Sequence, residues 1–226
     1  MLKRLDYLDE TECYLNDEKR LEVAWELLSY AQRLYHRVYV FRNFEAFAKS
    51  FHQDPKPEVY WEGLSGEKQI DLIKMSTAFE NYNKAVLLAQ GYIVHQIGKG
   101  RNRLLADKQS EEPILISEFM EANGFIKNEH STELYLDGLA KDFRTISFGR
   151  TLKTRYQEVV GLNAKFVNYL AGINRERNRL HFYKNYPGAF RVETYLENLK
   201  YARDYGAEML KSQIDDVVRK QRLLEH

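Results

Sequence analysis

The sequence predicts an all-α protein: a four-helix-bundle core with a mixed, partly helical insertion between the second and third long helices. Three observations predict it. Apolar residues recur at spacings of three and four over long stretches, the period of a helix with one buried face. Only four prolines interrupt 226 residues. No repeat, low-complexity tract or convincing hairpin signal competes with the helical pattern.

The first long pattern runs from about Asp17 to Phe51, with Leu21, Trp25, Leu28, Ala31, Tyr35, Val38 and Phe41 in phase and an acidic start that suits the helix dipole. The segment His52–Gly66, holding Pro55 and Pro57, separates it from a second, about Glu67 to Ile97, which Gly98-Lys99-Gly100 is expected to stop. In the mixed region after it, Pro113 opens a short helix through Ala122, Asn123-Gly124 marks a turn, and Ser131-Thr132-Glu133 caps another short helix. The third long helix is expected from about Thr151 to Phe182. Pro187-Gly188 then separates it from the fourth, Phe190 to about Gln221. The expected organisation is a single helical domain over 1–223 with an insertion at about 98–149; Leu224-Glu225-His226 resembles a purification-tag remnant.

At 44% hydrophobic and 30% charged residues, the composition is that of a globular chain rather than a disordered or membrane-bound one. No run approaches the length of a membrane span, and the start MLKRLDYLDETECYL lacks the apolar stretch of a secretory signal. The single Cys13 excludes an internal disulfide and a cysteine-rich zinc site, so a reducing, cytoplasmic setting is expected. The net charge of +1 hides an uneven distribution. Residues 141–180 carry nine Lys/Arg against Asp142, Glu158 and Glu176, a local balance of +6. Such a stretch attracts nucleic acid through counterion release, or is simply a solvated helix face.

The most informative stretch is Ile173–Tyr183, INRERNRLHFY, at the end of the third helix. It gathers Arg175, Arg177, Asn178, Arg179 and His181 just before a turn, with Tyr183, Lys184 and Tyr186 following. Arginine grips phosphate, and histidine moves protons near neutral pH. Helical phase places Arg177 in line with Phe166 and Ile173, on a stripe that also includes Val159 and Leu170, with His181 one turn further on. A cation on an apolar stripe calls for a groove, an interface or a buried partner. Arg175 and Arg179 project to the other side. Capping offers an explanation without chemistry: cations in a last helical turn are favoured by roughly 0.3–1 kcal/mol each, and Arg177 then needs only a carboxylate from another helix.

This arrangement resembles the HEPN family, all-α domains named for nucleotide binding in higher eukaryotes and prokaryotes. The family signature is an arginine, commonly followed by a polar residue, then four to six intervening positions and a histidine, placed before the turn into the last bundle helix. Arg175 meets the spacing to His181, whereas Arg177 meets the polar-neighbour criterion through Asn178. The segment Phe79-Glu80-Asn81-Tyr82-Asn83-Lys84-Ala85 also resembles a family-style segment. The similarity covers residues 67–222, with the first helix completing the core.

The resemblance implies a metal-independent, cofactor-free endoribonuclease that acts as a homodimer, with the toxin or defence effectors among its relatives and a protein antitoxin as a possible partner. On that reading His181 is general base or acid, Arg177 or Arg175 stabilises the phosphorane, and Asn178 orients phosphate or histidine. Arg179, Tyr183, Lys184 and Tyr186 bind RNA. A non-catalytic module that binds nucleotide, RNA or protein, and a purely structural helical protein, are the alternatives. Among other motifs, Gly98–Arg103 lacks a Walker spacing and reads as a helix stop with an exposed basic loop, with contact to a nucleic-acid backbone as the lesser alternative. His36, His52, His95 and His130 stand apart and read as surface or packed residues rather than ligands. Glu80 reads either as a partner for a motif arginine across the bundle or as a surface carboxylate.

Overall fold

The computed structural model describes residues 11–53, 57–99, 102–123, 125–127, 134–136, 139, 144–179 and 192–225. Among these residues the fold is all-α, apart from one short two-stranded ladder. Its axis is α4 (Pro57–Ala89), which begins with proline at the first helical position, where no N–H partner is needed. Every residue from Tyr82 to Ala89 is buried, so this end of α4 is enclosed on all sides.

Alongside α4 lies α1 (Asp17–His36). Asn16 caps it, its side-chain oxygen accepting the N–H groups of Glu18 and Lys19 at 2.8 and 3.2 Å. Leu21, Ala24, Leu28, Ala31 and Tyr35 form its buried stripe, whereas Trp25 is exposed. The first helix does not continue to Phe51 as expected. It ends at His36, and α2 (Tyr39–Arg42) and α3 (Phe44–Gln53) follow. The break comes from across the fold: Val38 turns extended, and buried Asp71 on α4 accepts the N–H groups of Tyr39 and Val40 at 2.8 and 2.9 Å. Lys74 binds that carboxylate and also the Arg37 carbonyl, at 2.7 Å. No glycine or proline marks the break.

The second helix begins earlier than expected and stops earlier too, at Ala89. Gly91, at φ 81°, takes the left-handed conformation that closes it. The Gly91 N–H bonds the Leu88 carbonyl and the Tyr92 N–H bonds that of Leu87, both at 2.9 Å, which is a Schellman stop. Residues 92–97 then run extended, bridged to Leu115, Thr145 and Leu139, and bury Ile93, Val94 and Ile97. Gly98 and Lys99 therefore follow an extended segment, not a helix. His95 is fully buried, as expected of a packed residue; its Nδ1 lies 2.6 Å from the Tyr14 hydroxyl, which also accepts the N–H groups of Val94 and His95. Burial holds the Tyr14 phenol well above its usual pKa, so it remains a hydrogen-bond donor. His36 is exposed.

In the mixed region, α5 (Arg103–Gln109) and α6 (Ile116–Asn123) send Ala106, Ile116 and Phe119 into the same core. The short helix starts three residues after Pro113, not at it. The absence of a hairpin is overturned: β1 (Phe125–Lys127) pairs antiparallel with β2 (Leu134–Leu136), Phe125 facing Leu136. The residues after Ser131-Thr132-Glu133 are thus strand rather than capped helix, and those three lie outside the described residues.

The third long helix is divided. α7 (Phe148–Thr151) and α8 (Thr154–Val160) precede Gly161 at φ 80°, and α9 (Ala164–Arg179) follows, with Asn163 accepting the Phe166 N–H at 2.9 Å. α7 ends where the long helix was expected to begin, α8 and α9 fill the described part of its span, and residues 180–182 lie outside the described residues. Val159 therefore belongs to α8 and not to the α9 stripe. α10 (Val192–Leu224) packs on α1, and Leu199, Ala202, Leu210 and Val217 are among its buried residues. Tyr35 donates to the Ala202 carbonyl at 2.6 Å, and Gly206 lies against the same phenol so closely that a Cβ has no room. Phe79, Tyr82, Phe166 and Tyr205 continue the aromatic core between α4, α9 and α10. No helix among the described residues is long and apolar enough to cross a membrane.

Two substitutions test these contacts by urea denaturation. Asp71→Ala strands two backbone donors and is expected to cost about 2–3 kcal/mol. Gly206→Ala forces Tyr35 aside and is expected to cost about 1–3 kcal/mol, with part of the loss recovered in the Tyr35→Phe background.

Candidate functional site

The site grows from the phase of α9. Phe166, Leu170 and Ile173 are buried, and the next residue in line is Arg177, whose side chain is 28% exposed. Arg175 and Asn178 are exposed on the other side. The helix stays regular through Arg179, so the inward placement of Arg177 follows from 3.6 residues per turn. His181, Tyr183, Lys184 and Tyr186 lie outside the described residues, as does the side chain of Arg179.

Arg177 meets α4. Its Nη1 lies 3.5 Å from Glu80 Oε2 and 3.4 Å from Ser76 Oγ, and its guanidinium stands 6.0 Å from the centre of the Phe148 ring. Of the two sequence readings of Glu80, the pairing with a motif arginine is therefore the one present. Glu80 has a second cation: its Oε1 accepts from Lys84 Nζ at 2.7 Å, and Lys84 also donates to Thr145 Oγ1 at 2.8 Å. Lys84 is nearly enclosed, which a lysine tolerates only with a carboxylate in reach. One turn along, buried Asn83 donates to Thr151 Oγ1 at 2.9 Å, and Thr151 donates to the Phe148 carbonyl at 2.8 Å.

Ser76, Glu80, Asn83 and Lys84 fall four, three and one residues apart, so α4 presents them as one polar stripe in an otherwise apolar surface. Opposite it stand Arg177 from α9, Phe148 and Thr151 from α7, and Thr145 from the extended segment before α7. The charge order is cation, carboxylate, cation, so the cluster keeps one net positive charge. Only Nη1 of Arg177 bonds a described residue; the rest of its five-donor fork remains for other acceptors. The contacts to Nη1 are long, so Glu80 aims the guanidinium without consuming it.

Sequence reasoning found Arg177 and Glu80 but not Lys84 as a buried partner, nor Ser76, Thr145 or Phe148. The spacing of Glu80 and Lys84, one helical turn apart, was the available signal for the first. No local pattern points to Thr145 or Phe148, which arrive from a different part of the chain. In the Gly98–Arg103 loop, Lys99 is exposed as expected, whereas Gly100 and Arg101 lie outside the described residues. No cluster of three or more metal-capable side chains occurs among the described residues.

Comparison with known protein families, characterised proteins and solved structures finds no match to this chain.

Removing the shared carboxylate strands two cations, whereas removing Lys84 leaves Glu80 with Arg177. Glu80→Ala is therefore expected to destabilise the fold by about 2–3 kcal/mol. Lys84→Met should cost clearly less in the same thermal and urea unfolding measurements; the reverse order would contradict the cluster as drawn.

Proposed function

We propose that this chain is a HEPN-like, metal-independent endoribonuclease with a four-helix core. The single observation that carries the reading is Arg177: a cation on the apolar phase of α9, steadied by Glu80, with most of its fork unspent, in the helix that leads to His181. The capping alternative accounts for a carboxylate from another helix beside Arg177; it does not call for one already shared with a buried lysine.

In the proposed reaction, His181 takes the proton from a ribose 2′-OH, whose oxygen attacks the adjacent phosphorus. The bond from phosphorus to the 5′-oxygen breaks, and that oxygen leaves with a proton supplied by a histidine, giving a 2′,3′-cyclic phosphate and a 5′-hydroxyl. Arg177 stabilises the negative charge that develops on the phosphorane, with Arg175 as the alternative set by the family spacing. Asn178 orients phosphate or imidazole. Arg179 and Lys184 hold flanking phosphates, and Tyr183 and Tyr186 stack on bases. A homodimer supplies two such motifs to one cleft, and a cytoplasmic toxin or defence role with a protein antitoxin is the biological setting that goes with this family.

A second reading has one observation in its favour. The ion pair with Glu80 lowers the net charge Arg177 offers to phosphate, which suits a module that binds RNA or nucleotide without cutting it.

Incubation with RNA in EDTA separates the two. Cleavage with 2′,3′-cyclic phosphate ends, abolished in His181→Ala at unchanged circular dichroism, supports the enzyme. Arg177→Ala is then expected to slow cleavage by about 10²–10³-fold. Salt-sensitive binding without any cleavage selects the binding module, and cleavage that survives His181→Ala removes the proposed chemistry.

A further inference from the structure

We infer that a single-stranded RNA lies along the outer face of α9, with its backbone passing closest to the helix at Gly172. The inference rests on the RNA-directed reading above and extends the site from one end of the helix to most of its length.

Gly172 has no evident reason to be glycine. It sits inside a 16-residue helix, where glycine is less favourable than alanine. Its φ is not positive, and a Cβ built there meets nothing within 4 Å. Neither backbone conformation nor packing against the described residues excludes a side chain. The remaining physical use of a mid-helix glycine is close approach by something that is not part of the chain.

The surroundings name the visitor. At 100° per residue, Lys165, Asn168, Gly172 and Arg175 fall within an arc of about 80°. That arc is centred opposite buried Phe166, Leu170 and Ile173. Lys165, Asn168 and Arg175 are exposed, and Gly172 is half-exposed. Arg175 makes no ion pair with a described residue. Lys165 rests its ammonium 4.2 Å from the centre of the Tyr201 ring while staying at the surface. No carboxylate interrupts this arc; Glu176 stands at its edge, about 40° from Gly172. From Lys165 to Arg175 the track is about 15 Å long, and it runs toward the C-terminal end of α9. Two cations, an amide and a bare stretch of backbone, spaced along a line, fit a phosphodiester chain better than a compact anion.

The test uses a short mixed-sequence RNA carrying 2′-O-methyl groups, which binds but cannot be cut by 2′-oxygen attack. Gly172→Ala is expected to raise the melting temperature by about 2–4 °C. The same variant should weaken RNA binding by about tenfold. Lys165→Gln, far from the motif, is expected to reduce the slope of log affinity against log salt by about 0.7, while Lys49→Gln on α3 leaves it unchanged. Gly172→Ala that binds RNA as the parent does, or that loses stability, overturns the inference. So does an unchanged salt slope in Lys165→Gln, or displacement of RNA by polyglutamate of equal charge, which would assign the face to an acidic protein. If the parent protein neither binds nor cleaves RNA, the functional reading falls together with the track; if it does and the variants match it, only the track falls.

Discussion

A helix enclosed on every side can hold a polar side chain only where another part of the protein meets it. That constraint governs this molecule, because α4 is enclosed over its last two turns and yet carries Asp71, Ser76, Glu80, Asn83 and Lys84 along its length. Four segments answer them: Asp71 meets the start of α2, Ser76 and Glu80 meet Arg177, Lys84 meets Thr145, and the Asn83 amide N–H meets Thr151. Leaving such a group unanswered costs about 1–3 kcal/mol, so these contacts set the register of four chain segments around α4. Apolar burial drives the helices together, but it is indifferent to sliding. The polar residues of α4 are what fix the positions.

The same division explains what was legible in the sequence. The all-α class was legible because it depends on the periodicity of each segment taken alone. So was the inward turn of Arg177, since it follows from counting along a regular helix. The stops were harder to read. Beyond Gly91, apolar Ile93, Val94 and Ile97 continue as if the helix went on, but they are buried from an extended segment instead. Gly98-Lys99-Gly100 then looked like the stronger stop. The break after His36 was invisible because its cause, Asp71, lies 31 residues from Val40. The three-residue strands offered too few alternations to register against the helical background. On the site, Glu80 and Arg177 were readable as a pair, while Thr145 and Phe148 reach the cluster only through tertiary folding.

Glu80 is where the structural and functional readings meet. A lone carboxylate facing one arginine would make a plain ion pair, and the arginine would be spent on it. Here the carboxylate is shared, with its shorter contact to Lys84 at 2.7 Å and its longer one to Arg177 at 3.5 Å. Lys84, being enclosed, has the greater need of it. Arg177 thus receives orientation rather than neutralisation, together with a ring from Phe148 beneath it. This asymmetry favours an arginine kept available for a ligand over one that merely closes the end of a helix.

The two faces of α9 follow from one period. Residues at 166, 170, 173 and 177 point into the fold, so those at 165, 168, 172 and 175 point out of it. On the inner face the stripe is apolar until it reaches a cation, and on the outer face it carries two cations, an amide and a glycine that packing against the described residues does not require. A helix selected only for stability would carry a better helix former at 172 and an apolar residue at 177. Both departures lie on one element, on opposite faces, and both become intelligible if α9 is the part of the molecule that meets an anionic chain.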